Sequence, residues 1–217
     1  MDDLTVLQKE IVACRLCPRL RDHCRHIAQV KRRAYLDQEY WGKPVPSFGD
    51  PEASVLILGL APGAHGANRT GRMFTGDKSG EFLYRALYET GFANQPTSTN
   101  RNDGLALKGA YISASAHCAP PDNKPLPQEL KNCRPYLERE LALLENLRVV
   151  VALGRIAFDT YLSLIDERLA FGHNVIHHLK PKLIASYHPS QQNTSTGKLT
   201  ARMLREVFEQ ARLASPR

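Results

Sequence analysis

The sequence predicts an α/β sandwich with a parallel sheet at its centre. Three observations predict it. Short apolar runs alternate with helix-length segments along the whole chain. The runs are apolar at successive positions, as in strands covered on both faces. No internal repeat or long linker divides the 217 residues, a length suited to one domain over 1–217. Parallel neighbours joined through helices call for right-handed crossovers.

The elements follow in order. Residues 3–13 form a short amphipathic helix with Leu4, Leu7, Ile11 and Val12 on one side. Cys14 to Phe48 is polar, basic and turn-rich, and the Pro/Gly stretch 42–51 excludes a regular element. The run 53–60 is the first strand and ends in a glycine-rich loop. Residues 79–91 read as a helix, with Ser79 as N-cap, Leu83, Tyr84 and Leu87 on its apolar face and Gly91 as its stop. A second strand is expected at 110–117. A long helix spans 127–147, broken or started near Pro135. The third strand is 148–154, followed by a helix at 155–163. The fourth strand, 183–189, runs into a polar loop, and 200–214 is the closing helix.

Composition bounds the function. Hydrophobic residues make up 42% and charged residues 24%, which suits a soluble globular chain and excludes a disordered one. No apolar run approaches the roughly 20 residues of a membrane helix. The start, MDDLTVLQKE, is not a secretory signal, so a cytoplasmic protein is expected. Lys and Arg number 29 against 22 Asp and Glu, a formal charge of +7 that favours a polyanionic partner. The surplus is uneven. Cys14 to Tyr35 carries Arg15, Arg19, Arg21, Arg25, Lys31, Arg32 and Arg33 against Asp22 alone. From Lys198 onward stand Lys198, Arg202, Arg205, Arg212 and Arg217 against two acids. Each run reads as a solvated helix face or as the rim of a groove that tracks phosphates.

Five cysteines without a secretion signal argue against a disulfide framework. Cys14-x2-Cys17 is one pair; Cys118 and Cys133, separated by 14 residues, are another. Cys118 and Cys133 lie at loop or helix ends rather than on apolar faces, which favours ligation over packing. Four thiolates suit a structural zinc or an iron–sulfur cluster, and ligand count does not choose between them. Either would pin the N-terminal segment, residues 1–50, onto the α/β body. Cys24 is left over as a free thiol.

Two loops leave strands at the sheet edge where α/β proteins bind ligands. The first, Gly59-Leu-Ala-Pro-Gly-Ala-His-Gly-Ala-Asn68, lacks the Gly-Lys-Ser/Thr of a P-loop and the Gly-x-Gly-x-x-Gly spacing. It continues as Arg69-Thr-Gly-Arg-Met-Phe-Thr-Gly-Asp77. The second is Tyr187-His-Pro-Ser-Gln-Gln-Asn-Thr-Ser-Thr-Gly-Lys198. Taken singly, Phe74 is a core residue, Asp77 a helix cap and His188 a structural imidazole. Their joint position at one edge makes them a candidate site.

These motifs, with Cys118-Ala-Pro-Pro-Asp-Asn-Lys124, His188-Pro-Ser-Gln-Gln-Asn193 and the four cysteines, resemble the family 5 (type B) uracil-DNA glycosylases over nearly the whole chain. The resemblance implies a three-layer α/β/α sandwich with a four-stranded, mainly parallel sheet. It implies a [4Fe–4S] cluster on Cys14, Cys17, Cys118 and Cys133. It implies a monofunctional DNA-repair enzyme that hydrolyses the N-glycosidic bond of uracil and other deaminated bases in DNA, expected to act as a monomer. Two departures from other glycosylase families stand out. Leu60 and Ala61 replace the polar residue after the first glycine, and Ala114 stands where a uracil-reading Asn is found. Both go with a looser choice of base.

The chemistry of such an excision suggests roles for these residues. Phe74 would stack on the extruded base. His188, with backbone amides around Ala61 and Gly63, would stabilise the leaving anion. Asp77 would orient a water and stabilise the cationic sugar, with Asn123 a second holder of that water. Asn193 and its loop would enter the DNA groove, and Lys198 would meet a phosphate. The rival is a non-catalytic iron–sulfur or zinc protein that binds nucleic acid, which leaves Asp77, His188 and Asn123 without a task.

Overall fold

Four of the apolar runs become the parallel centre of a larger sheet. The computed structural model describes residues 3–215. In chain order the elements are α1 (Leu4–Ala13), α2 (Pro18–Val30), β1 (Phe48–Gly49), β2 (Val55–Gly59), α3 (Ala67–Thr70), α4 (Lys78–Glu89), β3 (Ala110–Ala114), α5 (Pro127–Leu143), β4 (Val149–Leu153), α6 (Arg155–Leu164), β5 (Val175–His177), β6 (Lys182–Ser186), α7 (Gln191–Ser195) and α8 (Ala201–Ala214). The sheet order is β1-β3-β2-β4-β6-β5. The inner strands β3, β2, β4 and β6 pair in parallel, with Val55 opposite both Ala110 and Val149.

Alternate residues of the buried strands feed two cores. Val55, Ile57, Ile112, Val151 and Ile184 meet Leu83 and Leu87 of α4 and Leu204, Val207 and Phe208 of α8. Leu56, Leu58, Tyr111, Val150 and Leu183 meet Leu137 of α5 and Phe158 and Tyr161 of α6. α1 lies on α5, with Leu7 and Ile11 inward. Helices therefore cover both faces, as the three-layer expectation requires. Each fully buried Leu, Ile or Phe contributes about 1.5–3 kcal/mol, so these two cores dominate the stability. Among the described residues no helix is long and apolar enough to cross a membrane.

The structure corrects several expectations. The sheet has six strands, not four. The two additions, β1 and β5, are antiparallel edges of two and three residues. An edge strand pairs on one side only and needs no long apolar run, so neither left a periodic signal. The segment after Cys14 is not all turn: Pro18–Val30 is a helix with Pro at its start and Leu20 and Cys24 inward. Its basic outer face is the solvated helix face that was one reading of the Cys14–Tyr35 run, and its inward apolar stripe is narrow. Pro135 does not break α5, which runs through it. The cap of α4 is Asp77, whose side chain accepts from the Gly80 amide, and not Ser79. Two short helices, α3 and α7, form inside the predicted loops.

Candidate active site

The sheet places a crevice before any side chain is considered. β2 leads to α4 on one face, while its neighbour β4 leads to α6 on the other. The two connections part beyond the carboxyl ends of these strands, which is where α/β sheets bind ligands. The glycine-rich loop leaves β2 here, and the His-Pro loop leaves β6 one strand further along. β3 extends past its last paired residue to hold the first loop: Ser115 and Ala116 donate their amides to the carbonyls of Gly59 and Leu60.

Two predicted side chains, Phe74 and His188, are brought together, and Asp77 is seated on the glycine-rich loop beside them in sequence. Phe74 sits on Gly59, where an added Cβ would come within 2.9 Å of the ring. Its backbone takes the left-handed region at φ 50°, rare for an aromatic residue and an indication of strain held at the site. The His188 ring lies 5.9 Å from the Phe74 ring, tilted by 31°. Asp77 Oδ1 accepts from the Gly80 amide at 2.9 Å. Its Oδ2 lies against Gly63 and Gly66; a Cβ at Gly63 would be 2.9 Å from it, and one at Gly66 would overlap it. These glycines are thus required by the carboxylate, and Gly154 at the end of β4 leaves room for His188 in the same way, with 3.1 Å to its Cβ.

The electrostatics differ between the two polar groups. Burial pushes the Asp77 carboxyl above the usual range, opposed by the Gly80 and Ser79 amides and by the Arg69 charge. Burial pushes the His188 imidazole down to about 4, so it is neutral at pH 7. The His188 ring makes no hydrogen bond among the described residues and is free to donate. The amides of Ala61 and Gly63 are likewise given to no acceptor among them. The crevice therefore offers an apolar plate, a neutral donor with two free amides, and a carboxylate.

The other predicted residues are placed differently. Asn193 donates from Nδ2 to the His188 carbonyl at 2.8 Å, so its amide braces the His-Pro loop. Lys198 is exposed, with Nζ 4.9 Å above the Tyr187 ring. Asn123 is exposed on a turn at Pro121–Asn123, and its side chain forms no hydrogen bond to Asp77 or His188. That turn lies near the start of α2, where Arg19 donates to the Lys124 carbonyl. Arg19 also pairs with Glu129 at 2.8 Å. The C-terminal basic run is a helix face laced with carboxylates, Arg202 to Glu206 and Arg205 to Glu209. Arg217 lies outside the described residues.

The four predicted ligand cysteines converge from four elements. Cys14 closes α1, Cys17 caps α2, Cys118 follows β3 and Cys133 is inside α5. Asn132 donates to the Cys17 sulfur at 3.3 Å, and Cys14 bonds Tyr136. Burial pushes the Cys133 thiol up to about 12, with Cys17 and Cys14 close enough to add to the shift. Cys24 is buried beside Cys118 and shares a hydrogen bond with it. Among the described residues no three His, Cys, Asp or Glu side chains stand at the spacing of a single metal ion. A strap joins the two halves of this site: Ser113 Oγ on β3 donates to buried Glu140 on α5 at 2.5 Å.

Sequence reasoning missed the buried arginines beside the site. Arg72 forms a two-point pair with Asp103 at 2.8 Å and donates to Thr75 at 2.9 Å, which fixes the backbone around Phe74. Burial works against the Asp103 charge, but the Arg72 fork and three backbone amides outweigh it and hold the carboxyl below its usual range. A partner 31 residues away leaves no local signal.

Comparison with known proteins agrees with this geometry. A family model of the uracil DNA glycosylase superfamily matches residues 46–212. The type-5 uracil-DNA glycosylase of Thermus thermophilus is 48% identical over 216 residues, which covers 97% of each chain. That of Mycobacterium tuberculosis is 48% identical over 209 residues, 93% of this chain and 78% of the relative. That of Pyrobaculum aerophilum is 43% identical over 203 residues, 93% and 88%. Matched along nearly its full length, the chain belongs to the uracil DNA glycosylase superfamily and, within it, to the type-5 uracil-DNA glycosylases.

Proposed function

We propose that the protein is a DNA-repair glycosylase that hydrolyses the N-glycosidic bond of uracil, and of other deaminated bases, in DNA and leaves an abasic site. The observation that carries this reading is the Phe74–His188 ring pair, with the Asp77 carboxylate seated against Gly63 and Gly66 of the loop after β2, in a chain of this family. The target bond is inside a stacked duplex, so the nucleotide is extruded at a cost of a few kcal/mol. Its base stacks on Phe74. As the bond from C1′ to the base breaks, the electron pair leaves with the base and positive charge grows on the sugar. The neutral His188 donor and the amides of Ala61 and Gly63 stabilise the anion. The Asp77 carboxylate stabilises the cation and takes a proton from the water that adds to C1′. Asn123 is a second holder of that water. Asn193 shapes the loop offered to the DNA groove, and Lys198 meets a backbone phosphate. Ala114 and Ala61 offer no side-chain polar group to the base, which supports the wider substrate range.

An oligonucleotide with one uracil, incubated with the protein and then treated with alkali, should break at the uracil position. Binding without breakage would favour the non-catalytic reading, and release of uracil from free deoxyuridine would make the substrate a nucleoside.

Cys14, Cys17, Cys118 and Cys133 would hold a [4Fe–4S] cluster. The donor set fits: four soft thiols and no imidazole, three of them buried, drawn from four elements. The cluster supplies folding energy and ties residues 1–50 to the sheet of a monomeric, single-domain enzyme, and no step of hydrolysis uses it. Protein purified without oxygen should be brown, with absorption near ~400 nm, and Cys133→Ser should remove the colour and lower the melting temperature. A colourless protein that contains zinc would replace the cluster with a zinc site.

A further inference from the structure

Among the described residues, Arg69 is a buried cation without a carboxylate in contact. It is 8% exposed, and each nitrogen of its guanidinium donates to a neutral group. Nε donates to the His65 carbonyl at 2.8 Å, one terminal nitrogen to Gln38 Oε1 at 2.5 Å, and the other to the Gly76 carbonyl at 2.6 Å. The Tyr35 ring lies against it, 3.9 Å from the ring centroid to the guanidinium carbon. Buried charges are ordinarily paired, so an arginine satisfied only by dipoles and a ring leaves its charge to act on the next acid along. That acid is Asp77, one residue past Gly76. Gly76 itself adopts φ 81°, and a Cβ there would meet the guanidinium at 2.5 Å, so the chain turns tightly against the arginine just before the carboxylate.

The same contacts join two parts of the chain. Tyr35 and Gln38 belong to the N-terminal segment, and His65 and Gly76 to the glycine-rich loop. Trp41 and Gly42 donate their amides to the carbonyls of Arg69 and Asn68, and Tyr40 bonds His65 Nδ1 at 3.0 Å. A cleft of about 450 Å³, lined by Gln38, Arg69, Gly76, Glu81 and Arg85, opens beside the fork.

We infer that Arg69 is a positioning residue for Asp77: its fork fixes the backbone that presents the carboxylate, and Tyr35 and Gln38 seat it from the cysteine-anchored segment. The inference rests on the role proposed above for Asp77. The charged and titratable groups that act on Asp77 are Arg69 of α3 and Glu81 and buried Tyr84 of α4, with Lys78 next to it in the chain. Glu81 pairs with Lys78 at the surface and Tyr84 is a buried neutral phenol, so Arg69 is the buried charge that joins the Gly80 and Ser79 amides in opposing desolvation.

The test is the pH profile of single-turnover uracil excision by the full-length protein with its cysteine site intact. Asp77→Asn comes first: if it retains the acid limb and the rate, the role of Asp77 fails and the inference with it. If that variant loses both, Arg69→Gln should raise the midpoint of the limb and lower the plateau up to about 100-fold, with duplex affinity unchanged. Arg69→Lys should keep the limb near its wild-type position while losing rate, because it keeps the charge without the fork. A lower melting temperature with an unmoved limb and plateau would make Arg69 a purely structural residue and overturn the inference. Should Arg69→Gln fail to fold, Gln38→Ala decides: it should slow the plateau several-fold with the limb in place, and a wild-type rate overturns the inference.

Discussion

Asp77→Asn should slow single-turnover excision of uracil by about two to four orders of magnitude, the range expected when a positioned acid–base group is lost, while the duplex binds almost as before. The substitution isolates the charge. Asn caps a helix as well as Asp does, so the bond from the Gly80 amide survives. The side chain keeps its size in a space walled by Gly63 and Gly66. Asp77→Ala would mix this loss with that of the cap, about 1 kcal/mol, and would leave a void beside the two glycines. The wild-type pH profile should carry the same information. Burial holds the Asp77 carboxyl above the usual carboxylate range, and the group works ionised. Activity is therefore full above the raised value and falls as pH drops through it, at a higher pH than an exposed aspartate would give. An Asn variant that excises uracil at the wild-type rate would remove Asp77 from the mechanism.

How far the sequence reveals this depends on the range of each interaction. The inner strands were legible because burial on both faces favours apolar residues at successive positions, and 55–59, 149–153, most of 110–114 and the centre of 182–186 show it. The edge strands β1 and β5 were not, since their few residues face the sheet from one side only. The helix at Pro18–Val30 was legible only as one reading of its basic run, because its inward stripe is narrow and its outer face is dense in arginine.

The site was legible where chemistry is local. Phe74, Asp77 and His188 stood out because small residues surround them and both loops leave parallel strands at one end. What holds them was not legible. Gly154 makes room for His188 from another strand, Arg72 pairs with Asp103, and Arg69 reaches back to Tyr35 and Gln38. These contacts cross tens of residues and have no period. Asn123 shows the opposite limit: a polar residue in a suggestive motif, set on an exposed turn with φ 55° and no hydrogen bond to the other two polar residues.

His188→Ala should lower the excision rate about 100- to 1000-fold, the effect of removing one donor from an anion-stabilising site, again with little change in duplex binding. The backbone of the loop should hold, because Asn193 grips the His188 carbonyl rather than its ring and Tyr187 stacks on His173 at 5.0 Å. The form of the pH dependence then separates two mechanisms. With its imidazole held down to about 4 by burial, His188 is neutral across the working range and donates one hydrogen bond without transferring a charge. The rate should then be flat from about pH 6 to pH 8. An imidazolium donor would instead lose about tenfold in rate for each unit above its pKa. A neutral donor also fits the leaving group, because a uracil anion delocalised over its ring is a weak base and needs a dipole aimed at its oxygen more than a proton. His188→Gln, which restores an N–H donor but cannot be protonated, should recover part of the loss and keep the flat profile. If the Gln variant is as slow as the Ala variant while the wild-type rate falls steadily above pH ~6, then His188 acts as a cation, and burial is relieved when DNA binds.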